Sequence, residues 1–259
     1  ASIPLGNTYT ILMNDYNRNA RFGDRTDFSP PKKPSGSSRP VSQGDHFSLF
    51  DNEAFDRHEQ LPFDELLVLE NKTFRMNVNS GAGKLILTEV DKGLAPLKLA
   101  MIPDRLTLVS VNDNRYVTVS HPADPTIMLP PGAYRLVSYR ISRKDDNGDV
   151  WRISAVTGEY PPVSVAKGMN AALIFGEPYV AKADISVSGR ALFGGRNVSM
   201  NFRIEGRGKE NITGVTFYQS AALRRSTTAP PVAGRPAAPS FTIVKSDGEL
   251  VAKGVFRYG

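Results

Sequence analysis

Short runs in which apolar and polar residues alternate make up most of the chain, and Gly, Pro, Asn, Asp and Ser separate them. Alternation with a period of two puts apolar side chains on one face of a strand, so these runs predict β-strands. The predicted strands are 8–14, 46–50, 66–69, 73–78, 84–90, 106–111, 115–119, 133–141, 150–155, 163–165, 171–175, 180–187, 197–204, 214–218, 240–244 and 250–258. Helical periodicity is poor, and only 52–61 and 221–225 predict a turn or two of helix.

The predicted strands recur at the spacing that is typical of β-sandwiches. We therefore expect an all-β fold made of consecutive small antiparallel β-sandwich domains of the Ig-like or transthyretin-like kind. Breaks in the strand pattern divide the chain into three parts. These are an N-terminal β domain at 1–93, a middle transthyretin-like or Cna-B-like sandwich at 94–176, and a C-terminal Ig-like β domain at 177–259.

A Pro-Pro-Gly turn within 129–134, with the sequence LPPGAY, leads into one of the longest predicted strands. Proline presets φ for a tight turn, and Gly132 is expected to adopt a positive φ after it. The strand then begins with an alternation that directs Tyr134 and Leu136 toward the core.

This turn, together with 163–168 (VSVAKG) and 172–175 (ALIF), resembles the transthyretin-like or Cna-B-like modules of surface proteins. In those modules an LPPGxY turn enters an inner strand, and a v-x-v-x-x-G pattern precedes the closing strand. The isopeptide-forming residues of some Cna-B domains have no counterpart assigned here. The order of the turns and of the C-terminal hairpin at 241–259 is similar to that of uncharacterised exported bacterial proteins. The resemblance implies a location outside the cytoplasm and brings no established activity.

The amino-acid composition excludes several kinds of functional site. The 259 residues include no cysteine, which excludes thiol nucleophiles, thiolate metal sites and disulfides. The 32 basic residues are interleaved with 26 acidic ones, so the net charge of +6 predicts no nucleic-acid partner. No apolar run approaches the length of a transmembrane helix. The chain starts at Ala1, which fits a mature exported form, secreted or in the periplasm or cell envelope.

A polar loop after the first predicted strand is similar to the calcium loops of secreted bacterial proteins. Its candidate ligands are Asp15, Asn17, Asn19, the backbone carbonyl of Arg21, and Asp24 or Asp27. Ala20 replaces the usual Gly, and Thr26 stands where such loops carry Glu. These departures weaken a calcium site, and the alternative is a polar turn held by Asx hydrogen bonds. Calcium is the only cofactor that the sequence suggests.

The three histidines, His46, His58 and His121, match no metal-binding spacing. His58 lies in a polar segment and is expected at the surface, whereas His46 begins a strand beside Asp45. No Gly-x-Ser-x-Gly elbow is present. A Ser-His-Asp triad assembled from distant residues remains an alternative, because its members need not be neighbours in sequence.

Trp151, the single tryptophan, shares a strand face with Ile153 and Ala155 and is expected to pack in the core. The alternative is an exposed aromatic platform that stacks on sugar rings. Its members would be Tyr116, Tyr139, Tyr160 and Tyr218.

Two classes of function follow. The first is a non-enzymatic secreted or envelope-associated binding or structural protein, whose partner is a polysaccharide, a peptide or another envelope protein. Its contact arms would be the Pro-rich basic loops at 29–44 and 226–239. The alternative is a hydrolase or glycan-active enzyme with a site between domains, which requires a histidine beside a serine and a carboxylate.

Overall fold

A computed structural model describes residues 9–16, 18, 22–25, 44–51, 61–79, 84–146, 148–157, 160–188, 197–218, 233–234 and 238–256. These residues form strands and no helix, so the predicted all-β class is confirmed. Within the same residues, no helix has the length and apolar character needed to span a membrane. The helical turn predicted at 221–225 lies outside the described residues, as does most of the one at 52–61, whose last residue, Leu61, begins a strand.

The described residues contain twenty strands. They are β1 (Tyr9–Asn14), β2 (His46–Asp51), β3 (Leu61–Pro62), β4 (Leu66–Leu69), β5 (Lys72–Asn79), β6 (Lys84–Glu89), β7 (Ala95–Leu99), β8 (Arg105–Ser110), β9 (Tyr116–Ser120), β10 (Thr126–Leu129), β11 (Gly132–Lys144), β12 (Val150–Val156), β13 (Val163–Val165), β14 (Ala171–Leu173), β15 (Val180–Ser188), β16 (Asn197–Glu205), β17 (Asn211–Tyr218), β18 (Ala233–Gly234), β19 (Ser240–Val244) and β20 (Leu250–Val255).

One twelve-stranded sheet organises the chain, and three small sheets accompany it. The long sheet runs in the order β15-β16-β17-β12-β11-β8-β9-β4-β5-β6, with β13 paired to β11 and β18 paired to β17. The small sheets are β1-β2-β3, β10-β7-β14 and β19-β20. All the ladders are antiparallel except β4 with β9 and β7 with β14.

The largest core lies between the β10-β7-β14 sheet and the middle strands of the long sheet. Leu97, Ile127 and Leu173 from the small sheet belong to one buried cluster with Leu106 and Leu136 from the long sheet. Each of these five side chains is fully excluded from solvent. Burial of aliphatic side chains on this scale is the main stabilising contribution to such a pair of sheets.

A second core lies on the other face of β4. Leu67 and Leu69 pack there with Phe47 of β2 and Phe74 of β5, whereas Val68 points into the first core. Successive strand residues face opposite sides of a sheet, so a strand that is covered on both faces must be apolar at every position. The sequence of β4, LLVL, meets that requirement.

The long sheet contains strands from all three predicted segments, since β4 pairs with β9 and β12 pairs with β17. The segments at 1–93, 94–176 and 177–259 therefore share a continuous ladder. Their division into three domains stays a prediction, as does the Ig-like or transthyretin-like type of each unit. Among the described residues of β15, β16, β19 and β20, none belongs to a fully buried apolar cluster.

The turn at 129–134 connects two strands as predicted: Leu129 ends β10 and Gly132 begins β11. Tyr134 and Leu136 are buried in the first core, and the Tyr134 hydroxyl donates a 2.8 Å hydrogen bond to the Pro130 carbonyl. The expected positive φ at Gly132 was wrong. A Cβ at Gly132 would make an ordinary van der Waals contact, 3.6 Å from the Tyr134 ring, so the structure leaves room for a small side chain there.

Candidate functional site

Two residues of the predicted calcium loop, Gly23 and Asp24, are bonded to a buried carboxylate. The backbone N–H groups of Gly23 and Asp24 donate to Oδ2 of Asp45 at 2.8 and 3.0 Å. Asp45 is fully buried, and its own N–H donates to the Asp24 carbonyl at 2.9 Å. Successive backbone N–H groups form a concave site for an anion, and the Asp45 carboxylate occupies it here.

Of the candidate calcium ligands, Asp15 and Asp24 are described, while Asn17, Asn19, Arg21 and Asp27 lie outside the described residues. Asp15 follows β1, and the backbone carbonyl of Asp24 accepts a hydrogen bond from the Asp45 N–H. Within the described part of the chain, no three His, Asp or Glu side chains are grouped so as to hold a metal. The calcium site stays a prediction.

His46 lies in a buried position next to this loop. Its ring packs edge-on against Tyr16, with ring centroids 4.7 Å apart. Burial lowers the pKa of His46 below its usual value of 6.5, and the neighbouring Asp45 charge opposes that shift. The arrangement favours a neutral, packed imidazole.

His121 lies at the end of β9, where its Nδ1 is 2.8 Å from the Ser120 hydroxyl. Ser120 is fully excluded from solvent, so this hydroxyl has no open face for a substrate. His58, the third histidine, lies outside the described residues. The pair of adjacent residues Ser120 and His121 therefore does not supply the open site that the hydrolase alternative requires.

Asp64 is a second buried carboxylate with a structural role. It accepts hydrogen bonds of 2.7 Å from the backbone N–H groups of both Glu65 and Tyr116, and the Arg115 guanidinium is 3.7 Å away. Burial raises the pKa of Asp64, and the two N–H donors and Arg115 oppose that rise. The carboxylate ties the start of β4 to the start of β9.

Glu210 is the third buried carboxylate, and it lies in the turn between β16 and β17. It accepts a 2.8 Å hydrogen bond from the Tyr139 hydroxyl on β11 and another from the backbone N–H of Gly176. In the same turn, the Arg207 N–H donates to the Gly176 carbonyl at 2.7 Å. Burial raises the pKa of Tyr139 strongly, with Tyr179 and Glu210 adding to the rise. These bonds hold the C-terminal strands to the first core.

Four arginines occupy the face of the long sheet that is opposite the first core. They are Arg105, Arg135, Arg140 and Arg152. Arg105 and Arg140 are direct cross-strand neighbours, and Asp104 lies 4.0 Å from Arg140. Arg105 is only 5% exposed, and the other three arginines are half-buried.

The aromatic platform proposed for sugars is not assembled at the surface. Tyr116, Tyr139 and Tyr160 are buried, and the side chain of Tyr218 lies outside what is described. Trp151 is half-buried: its ring packs 4.9 Å from Phe217, and its Nε1–H donates to Asp145 at 3.0 Å.

The C-terminal strands expose large aliphatic side chains. The exposed residues on β15, β19 and β20 are Val180, Ile185, Val244, Leu250, Val251 and Val255, each more than half accessible to solvent. Phe256 follows β20, and its ring centroid is 5.2 Å from that of Phe202 of β16 and 5.1 Å from that of Phe241 of β19. These three side chains are half-buried. Contiguous exposed apolar patches often mark contact sites. Val244, Leu250, Val251 and Val255 belong to one hairpin, β19-β20.

The polar face of the β15-β16 hairpin carries charges of alternating sign. Lys182 pairs with Glu205, and Arg203 pairs with both Asp184 and Glu205. The hydrogen bond from Lys182 lowers the pKa of Glu205 below its usual value, and Arg203 adds to this effect. The opposite face is apolar, with Ala181, Ala183 and Ile185 opposite Ile204, Phe202 and Met200 of β16.

The sequence predicted the strand at 180–187, but not its position at the end of a sheet. It also gave no indication of the role of Glu210. Alternation shows which residues share a face, and it says nothing about how many neighbours a strand has. Glu210 gave no signal beyond a turn composition with Gly206 and Gly208 nearby.

Comparisons with known proteins add no relative to this picture. No protein-family model, curated protein or solved structure matches the chain. The transthyretin-like and Cna-B-like resemblance therefore depends on the short motifs in the sequence.

Proposed function

We propose that the protein is a non-enzymatic binding or structural protein built of β-sandwich units, and that it contacts another protein through its C-terminal strands. A secreted or envelope location is part of this proposal and depends on the sequence resemblance. The observation that carries the contact surface is the set of exposed aliphatic side chains on the β19-β20 hairpin.

The chemistry of that surface favours a protein partner over a polysaccharide. Val251 and Val255 of β20 are 57% and 58% exposed, and both are aliphatic. Sugar rings bind to flat aromatic faces, whereas the cores of protein interfaces bury aliphatic and aromatic groups alike. The tyrosines Tyr116, Tyr139 and Tyr160, which would have made a sugar platform, are buried.

The buried ionisable groups support a non-enzymatic role. Asp45, Asp64 and Glu210 each accept hydrogen bonds from backbone N–H groups that connect separate parts of the chain. A buried carboxylate that accepts such hydrogen bonds stabilises the fold.

Site-specific photo-crosslinking tests the proposal. A photoreactive amino acid in place of Val255 should give a discrete protein adduct in cells that produce the protein, identified by mass spectrometry. The adduct should be lost when Val251→Lys is added. The same group at Lys167, an exposed residue between β13 and β14, is the matched control and should give none.

Two results would overturn the proposal. One is the same adducts from Val255 and from Lys167, since this would show random contact. The other is retention of the purified protein on insoluble peptidoglycan or cellulose, with no adduct at Val255, since this would show a polysaccharide partner.

A further inference from the structure

The strand β15 forms an open edge of the long sheet. It pairs with β16 over nine successive positions, from Val180 with Glu205 to Ser188 with Asn197. Within the described residues, no strand pairs with its other side. The backbone N–H and C=O groups along that side form a row that another strand can pair with. The β15 residues 180–186 are exposed on both faces.

We propose that the occupant of this edge is β15 of a second copy of the chain, paired antiparallel about a twofold axis at Ala183. This inference rests on the proposed function, because it names the partner that the C-terminal strands contact. Twofold dimers of this kind use the same surface patch on both subunits and leave no free edge at the junction.

The charges on β15 select this register. With the axis at Ala183, Lys182 lies opposite Asp184 of the second copy, and Asp184 lies opposite Lys182 of the second copy. An axis one residue earlier would place two copies of Lys182 face to face, and an axis one residue later would do the same for Asp184. Opposite charges stabilise a cross-strand pair, whereas like charges destabilise it.

The other face of β15 fits the same register. Ala181 would lie opposite Ile185 of the second copy, so a small side chain faces a large one. Ile185 is 64% exposed in the single chain, the largest exposure among its big apolar residues described here. Pairing would cover part of this surface and join two apolar faces, each continuing into Phe202 on β16.

The existing ion pairs are compatible with this arrangement. Lys182 and Asp184 already contact Glu205 and Arg203 on the β16 side. A second copy would extend the alternation of positive and negative groups across the junction. Networks of alternating charge contribute more than isolated exposed pairs do.

A single cysteine tests the position of the axis, because the natural chain has none. Directly opposed residues in an antiparallel pair have Cβ atoms about 4.5–5.5 Å apart, close to the span of a disulfide. Ala183→Cys should therefore form a covalent dimer of twice the 28.3 kDa chain mass under mild oxidation.

The matched control is Ala181→Cys, whose own copy would be four positions away along the strand, about 13 Å. It should stay monomeric on a non-reducing gel. No covalent dimer from Ala183→Cys, or equal dimer from both variants, would overturn the proposed register.

Charge reversal tests the pairing itself. Lys182→Asp and Asp184→Lys should each weaken self-association at least tenfold in sedimentation velocity. An equimolar mixture of the two variants should recover the dimer, because each reversed charge then meets its opposite on the other chain. Both variants disturb their own β16 contacts equally in the mixture and alone, so recovery cannot come from the fold of the single chain. Lys245→Asp, on the β19-β20 turn, should dimerise like the natural chain.

A natural chain that is monomeric at high micromolar concentration would overturn this inference. So would single reversals that dimerise normally, or a mixture that does not recover. An adduct from the Val255 photo-crosslinker with a different protein, together with a monomeric natural chain, would leave the proposed function standing and refute the second copy.

Discussion

The hydroxyl of Tyr139 donates a 2.8 Å hydrogen bond to the carboxylate of Glu210, which lies 71 positions later in the chain. Both groups are almost fully excluded from solvent. The bond joins β11, at the centre of the long sheet, to the turn between β16 and β17. It is therefore part of what fixes the C-terminal strands against the first core.

Tyr139→Phe should lower the free energy of unfolding by about 1–3 kcal/mol, because Glu210 loses a donor that water cannot replace. Chemical denaturation followed by circular dichroism measures the change. Tyr9→Phe is the matched control, since Tyr9 donates to Glu70 at 2.8 Å in a half-buried position that solvent can reach. An equal loss in both variants would contradict a special role for the buried bond.

Gly208→Ala should cost about 1–3 kcal/mol through overpacking. A Cβ at this position would lie 2.9 Å from both the Tyr160 ring and the Glu210 carboxylate, and closer still to the Ile174 carbonyl. Gly214→Ala on β17 is the control, because its Cβ would meet only Ser154 at 3.8 Å. The thermal midpoint should fall for the first variant and stay within about a degree for the second. Similar midpoints would show that the turn can move aside.

Acid should weaken the fold through His46. Its pKa is lowered in the folded state by burial, so the unfolded chain takes up a proton more readily once the pH falls below 6.5. The stabilising contribution of the neutral ring is complete above that pH and is lost progressively below it. Unfolding free energies measured between pH 5 and 7.5 should show this slope, and His46→Gln should reduce it. If the slope is unchanged in His46→Gln but absent in His121→Gln, the effect comes from His121 and the prediction is contradicted.

The loop after β1 should respond little to calcium. The backbone N–H groups of Gly23 and Asp24 are already bonded to Asp45, and the candidate ligand Asn19 is an amide where stronger sites have an acid. Thermal midpoints in calcium and in chelator should coincide. A higher midpoint in calcium that Asp15→Asn abolishes would instead establish the site.

Local alternation predicted the strands of this protein well where each strand has one polar and one apolar face. The residues of β11 and β12 show this pattern, and the Asp and Gly residues between them predict the turn of the hairpin that the structure contains. The short strands β7 and β10 were missed. Pro96 argues against a strand at β7, yet it is tolerated because at that position β7 pairs only with β10 and not with β14.

Long-range relationships were not accessible from the sequence. The parallel pairing of Leu66 with Val117 joins strands about fifty residues apart. The contact of Glu210 with Tyr139 spans an even longer separation. The sequence does not show which residue will be the partner of which. A glutamate looks the same in the sequence whether its carboxylate is buried or lies at the surface. The proposed pairing edge of β15 also depends on strand order, which is a long-range property.

By itself, the sequence determined the all-β class, the absence of thiol chemistry and the faces of most strands, because each of these is recorded in residues a few positions apart. Only the tertiary structure decided that a strand such as β4 is covered on both sides, and that among the described residues β15 has a neighbouring strand on one side only. The physical reason is that burial and strand order follow from the packing of the whole chain. The charges of Lys182 and Asp184 are visible in the sequence. Their proposed role in pairing with a second copy depends on the absence of a neighbouring strand beside β15 among the described residues.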